Sequence, residues 1–181
     1  MMSLENAVSE LRAKPAEFNL IHFRDVTHGQ GAPPHYWVAI SIGNNQHILL
    51  SIVTSQMQKL AHRYLNYDEK EQELALNSLV PLSNSDFRGI ARQCVINCND
   101  TVCLSALQLI KKIDTTFCSK ISERSFDLIH SDKDFSYELK EKIIQAIHNS
   151  PVAKLEVKKY VDEIRDIITS QANSSSVPKA S

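Results

Sequence analysis

Residues 33–58, PPHYWVAISIGNNQHILLSIVTSQMQ, hold the side chains best suited to chemistry. His35 leads into one apolar run, and Thr54, Ser55 and Gln56 close a second. Just upstream, Arg24 precedes a loop, THGQGAPP, that carries His28 and Gln30. An imidazole has a reference pKa of about 6.5, so it can take or give a proton near neutrality. A threonine hydroxyl can donate to a phosphate oxygen, and arginine can grip a phosphate through two N–H groups. A base, a hydroxyl and a loop can therefore form a phosphate site without a metal. Each residue also has a plainer role. His35 beside Tyr36 and Trp37 suits the surface or structure of a strand end. Thr54 and Ser55 suit a turn, and Trp37 suits the core.

These side chains need a scaffold of short strands. Residues 18–26 read as a strand, and 35–42 as another rich in aromatic and β-branched residues. Gly43-Asn44-Asn45 reads as a turn, and 47–55 as a strand apolar enough to be buried on both faces. Residues 3–13 predict a short amphipathic helix capped by Ser3 and stopped by Pro15. Residues 56–77 fit either one helix or a mixed insertion. Residues 79–87 read as extended and 92–100 as a strand. Residues 104–113 predict a helix with Leu104, Leu107, Leu109 and Ile110 on one face and Lys111 and Lys112 in its last turn. Beyond 115 the pattern is helical: 122–131, then 136–150 capped by Ser136, then 151–171 with Pro151 at its first position. Residues 172–181 are small and polar, and disorder is expected there. Strands followed by helices favour an α+β fold.

With 43% hydrophobic and 23% charged residues, the 181-residue chain has an ordinary globular composition. A formal net charge of −1 leaves no global basic field for duplex nucleic acid, so any such contact needs a local patch. Cys94, Cys98, Cys103 and Cys118 match no standard zinc spacing, and no signal-peptide pattern is present. No apolar run is long enough for a membrane span. Free thiols, a cytoplasmic setting, no metal and no cofactor are the expectations.

The run HYWVAIS, a turn, ILLSIVTSQMQK, CVINCND and LSALQLIKKI resembles the MazF/PemK toxins over roughly residues 20–113. The resemblance implies a small SH3-like β-barrel, residues 1–113, followed by a helical C-terminal extension, residues 114–171. It implies metal-independent cleavage of single-stranded RNA by an endoribonuclease of a toxin–antitoxin system. A homodimer and a cognate antitoxin would be its protein partners. Thr54 falls on the family's catalytic threonine. His35-Tyr36 stands where the family carries Arg-Pro, which makes His35 the other catalytic candidate. Arg24, His28, Gln30, Ser55 and Gln56 are the candidate substrate-binding residues. Loss of the family arginine also suits a second reading, a non-catalytic module that binds nucleic acid or protein on the same barrel.

Overall fold

The computed structural model describes residues 3–29, 32–43, 47–83, 85–88, 90, 93–118 and 124–175. Six strands form one antiparallel sheet: β1 (Phe18–Phe23), β2 (His35–Gly43), β3 (His47–Thr54), β4 (Leu79–Leu82), β5 (Cys94–Ser105) and β6 (Phe126–His130). Their order is β4-β5-β3-β2-β1-β6. Among the described residues the edge strands β4 and β6 do not pair with each other, so the sheet is open rather than closed into the expected barrel. The helices are α1 (Leu4–Glu10), α2 (Met57–Arg63), α3 (Glu69–Asn77), α4 (Ala106–Lys112), α5 (Tyr137–Asn149) and α6 (Leu155–Ser175).

Strand side chains alternate between two covered faces. On one face Leu20, Val38, Ile40, Leu49 and Ile96 pack with Ile143 and Ile147 of α5 and Val161 and Ile164 of α6. On the other, Ile21, Phe23, Trp37, Ala39 and Leu50 pack with Val8 and Leu11 from α1 and with Leu109 and Ile113 at the end of α4. Each large side chain buried this way contributes roughly 1.5–3 kcal/mol over leaving it exposed. Two-sided burial explains why all six residues of β1 are buried, whatever their polarity. A third, smaller cluster joins Leu60 and Tyr64 of α2, Ala75 of α3, and Leu79 and Val95 of the sheet.

Several local expectations change. Residues 126–130, expected to be helical, form β6, which pairs with β1 and seats Phe126 in the core. Residues 56–77 divide into two helices, the second capped by the Asp68 side chain. Pro151 does not open the last helix. Ser150 Oγ accepts the N–H groups of Val152 and Ala153 at 3.3 and 3.1 Å, which folds 151–153 into a turn before α6 begins at Leu155. That helix runs through Ser175, past the expected boundary at 171. Leu104 belongs to β5, and Leu107 is 60% exposed, because α4 begins only at Ala106, under a capping box of Ser105 and Gln108. The α5 stripe of Leu139, Ile143, Ile144 and Ile147 is buried, as its spacing predicts, and so are Val157, Val161, Ile164 and Ile168 of α6. Among the described residues no helix is long and apolar enough to cross a membrane.

Candidate functional site

The α1/α4 face is not covered along its whole length. Where β2 begins and β3 ends, it opens into a groove of about 560 Å³. Its floor carries His35 and Trp37 of β2, Ile52 and Thr54 of β3, and Asn97 of β5. One wall is the segment after β1, with Asp25, Thr27 and His28, joined by Lys112 from the end of α4. The other is α2, with Lys59, Leu60 and Arg63.

Register sets the floor. Tyr36 pairs with Val53 and Trp37 with Ile52, so one step outward His35 and Thr54 sit on neighbouring strands and share the Trp37 face. Thr54 Oγ1 accepts the Gln56 N–H at 3.1 Å and keeps its own proton to donate. A short turn, Val26–His28, brings His28 over the floor. Asp25 caps it by accepting the Thr27 N–H at 2.9 Å and the Thr27 hydroxyl at 2.8 Å. Gly29 follows at φ 80°, a left-handed conformation that suits glycine. The His28 and His35 rings meet edge to face, 4.9 Å between centroids, and His28 lies 6.1 Å from Trp37 in a stacked orientation. Among the described residues the buried His35 Nδ1 and Trp37 Nε1 atoms meet no hydrogen-bond partner.

The electrostatics follow from burial. Desolvation first, then the neighbouring His28 and His22, hold His35 below its ordinary pKa, against the pull of Asp25. At neutral pH His35 is therefore an unprotonated imidazole able to accept a proton. Burial would push the Asp25 carboxyl up, but the Lys112 ammonium and the two Thr27 donors outweigh it and hold it below the usual carboxylate range. On the far wall, Asp100 Oδ2 accepts from Asn97 Nδ2 at 2.7 Å and from Arg63 Nη1 at 3.2 Å. Asp100 reaches the groove because β5 is irregular opposite Leu50 and Ile52.

The sequence-predicted residues divide. His28, His35, Thr54 and Gln56 come together around the groove. Ser55 is exposed and is not part of its lining. Gln30 lies outside the described residues. Arg24, expected to bind substrate, points elsewhere. Its Nε donates to Asp114 Oδ2 at 2.8 Å, and its guanidinium lies 4.8 Å from the Phe117 ring centre. Cations that sequence reasoning passed over stand in the groove instead: Lys59, Arg63 and Lys112. Only Lys112 left a local mark, as a cation in the last turn of a helix.

The cysteines do not join this site. Cys98 is fully buried and its thiol is pushed up by desolvation; Cys103 is pushed up to about 11, again chiefly by burial. All four are free. Among the described residues no three His, Cys, Asp or Glu side chains are grouped so as to hold a metal ion. A larger cavity, about 750 Å³, lies between α1 and β6, and none of the expected catalytic or binding residues lines it. Compared with protein-family models, curated proteins and solved structures, the chain shows no significant match to any of them.

Proposed function

We propose that this protein is a metal-independent endoribonuclease acting on single-stranded RNA, in the manner of the MazF/PemK toxins. One observation supports the reading above the rest: two imidazoles, a threonine hydroxyl and three cationic side chains line a single groove. The neutral His35 takes the proton from a ribose 2′-OH. The 2′-oxygen then attacks the adjacent phosphorus, the bond to the 5′-oxygen breaks, and His28 gives that oxygen a proton. The products are a 2′,3′-cyclic phosphate and a free 5′-hydroxyl. The Thr54 hydroxyl and the cations of the walls stabilise charge on the phosphate oxygens. Trp37, Ala32 and Pro33 bound the space available to a base.

The same proposal includes an SH3-like arrangement of β1, β2, β3 and β5 with α4. It also includes a homodimer, a small antitoxin that covers the groove, and action in the cytoplasm. The test uses purified full-length protein, a single-stranded RNA oligonucleotide and EDTA. Cleavage that yields cyclic-phosphate ends, and that is lost in His35→Ala and Thr54→Ala, is the expected result. RNA that is bound but intact at every pH would instead identify a non-catalytic binding module. Full activity in both variants would remove the site assignment.

A further inference from the structure

We propose that Asp25 is the positioning residue of this groove, its buried carboxylate fixing the Lys112 ammonium and the His28 ring against His35. The catalytic consequence rests on the endonuclease reading; the geometry does not. Asp25 is 1% exposed. Its two oxygens do different things. Oδ1 caps the turn through Thr27, and a cap needs nothing more. Oδ2 faces the Lys112 ammonium and lies 3.8 Å from His28 Nε2.

The backbone holds that arrangement together. Asp25 forms an isolated antiparallel bridge with Ile113, and the Asp114 N–H donates to the Arg24 carbonyl at 2.9 Å. These contacts dock the end of α4 onto the segment after β1, so Lys112 arrives where the carboxylate waits. Lys112 also lies 5.4 Å from the Trp37 ring centre, a cation over the groove floor. A buried charge is costly unless it is paired, and here both partners of Oδ2 line the site. The carboxylate therefore holds a cation beside the bound phosphate and keeps the His28 ring against His35. Its negative charge also favours protonation of His35, which burial opposes. Asp25 itself touches neither substrate nor reacting atoms in this scheme.

The experiment compares full-length wild type, Asp25→Asn and Thr27→Val, with folding checked by circular dichroism. Cleavage of a single-stranded RNA oligonucleotide in EDTA gives kcat and KM. Long-range ¹H–¹⁵N spectra of the histidine rings, recorded without RNA, give tautomer, titration and ring contacts. For Asp25→Asn, kcat should fall about 100-fold with KM moved only a few-fold, the pattern of a lost transition-state interaction. The His28–His35 ring contact should weaken, and the His35 titration should move to lower pH. Thr27→Val removes one of two Oδ1 donors and should cost about fivefold in kcat, in line with one hydrogen bond. If Asp25→Asn does not fold, Thr27→Val carries the test. Ring spectra unchanged in the folded variants, or kcat within twofold of wild type, would overturn the proposal. If the wild type does not cut RNA, the endonuclease reading falls and the spectra alone decide the role of Asp25.

Discussion

Two histidine–aspartate pairs sit on opposite faces of the same end of the sheet, and both are 3.8 Å apart. His22 and Asp127 are paired across β1 and β6, with side chains 8% and 6% exposed and the Tyr36 ring 4.7 Å from His22. Tyr36 packs toward the α5/α6 layer beside this pair, and neither His22 nor Asp127 lines the groove. His28 and Asp25 have side chains 32% and 1% exposed: the acid is buried, but the imidazole opens onto the groove. Residue types and the 3.8 Å separation are the same, yet only His28 and Asp25 line the groove. Access, more than the identity of the pair, separates a structural histidine from a candidate catalytic one.

Substitutions can break that contrast, and the largest effect belongs to the open side. His35→Ala should reduce RNA cleavage by about 10²–10⁴-fold, the usual range for a general base, and Thr54→Ala by about 10–100-fold, while both melt near the wild-type temperature. On the closed side the pattern reverses. His22→Ala removes a buried ring from between Asp127 and Tyr36 and should cost about 1–3 kcal/mol in urea unfolding, with cleavage by the folded fraction little changed. A large activity loss there with unaltered stability would erase the distinction.

Acid sharpens the comparison next. His22 and His35 both titrate below the ordinary histidine value in the folded protein, in each case chiefly because burial disfavours the charged ring. Between the folded and unfolded values the unfolded chain binds more protons. Stability is therefore full above about pH 6.5 and is lost as the pH falls through the folded values, by at most about 1.4 kcal/mol per pH unit for each histidine. Urea midpoints recorded from pH 7.5 down to pH 5 should decline, and less steeply in a His22→Gln variant. A smaller effect concerns the wall: Arg63→Gln should lower the slope of log affinity against log salt for single-stranded RNA by about 0.7, the share of one neutralised phosphate. Smallest of all, Arg24→Ala should leave cleavage unchanged and lower the melting temperature slightly, because that guanidinium serves Asp114 and Phe117.

The hairpin of β2 and β3 was readable from sequence because aromatic and β-branched runs flank a turn, and period two alone then sets His35 and Thr54 on one face. The stripes of α5 and α6 were readable for a similar reason, since thirteen and twenty-one residues give several turns of evidence for a buried face. β6 was not. Five residues fit a helical turn as well as a strand, and what decides is the edge of β1, more than a hundred positions earlier in the chain. Asp25, Arg63, Asp100 and Lys112 share no local pattern either; they meet only after β5 and α4 have packed. Besides Lys112 in the last turn of α4, Asp25 carried a usable hint, an aspartate two residues before a threonine, which is turn-capping spacing. Arg24 shows the opposite error: nearness in sequence to a loop says little about where a long side chain ends.

The buried Asn99 has one further consequence. Its amide donates to the Ala75 carbonyl and accepts from the Ser150 hydroxyl, each at 2.7 Å, so it rivets the bend of β5 to α3 and to the α5–α6 junction. The neighbouring Asp100 is thereby braced by the C-terminal third of the molecule. A chain clipped after residue 113 would strip the cover from a whole side of the sheet and also slacken the wall that presents Arg63.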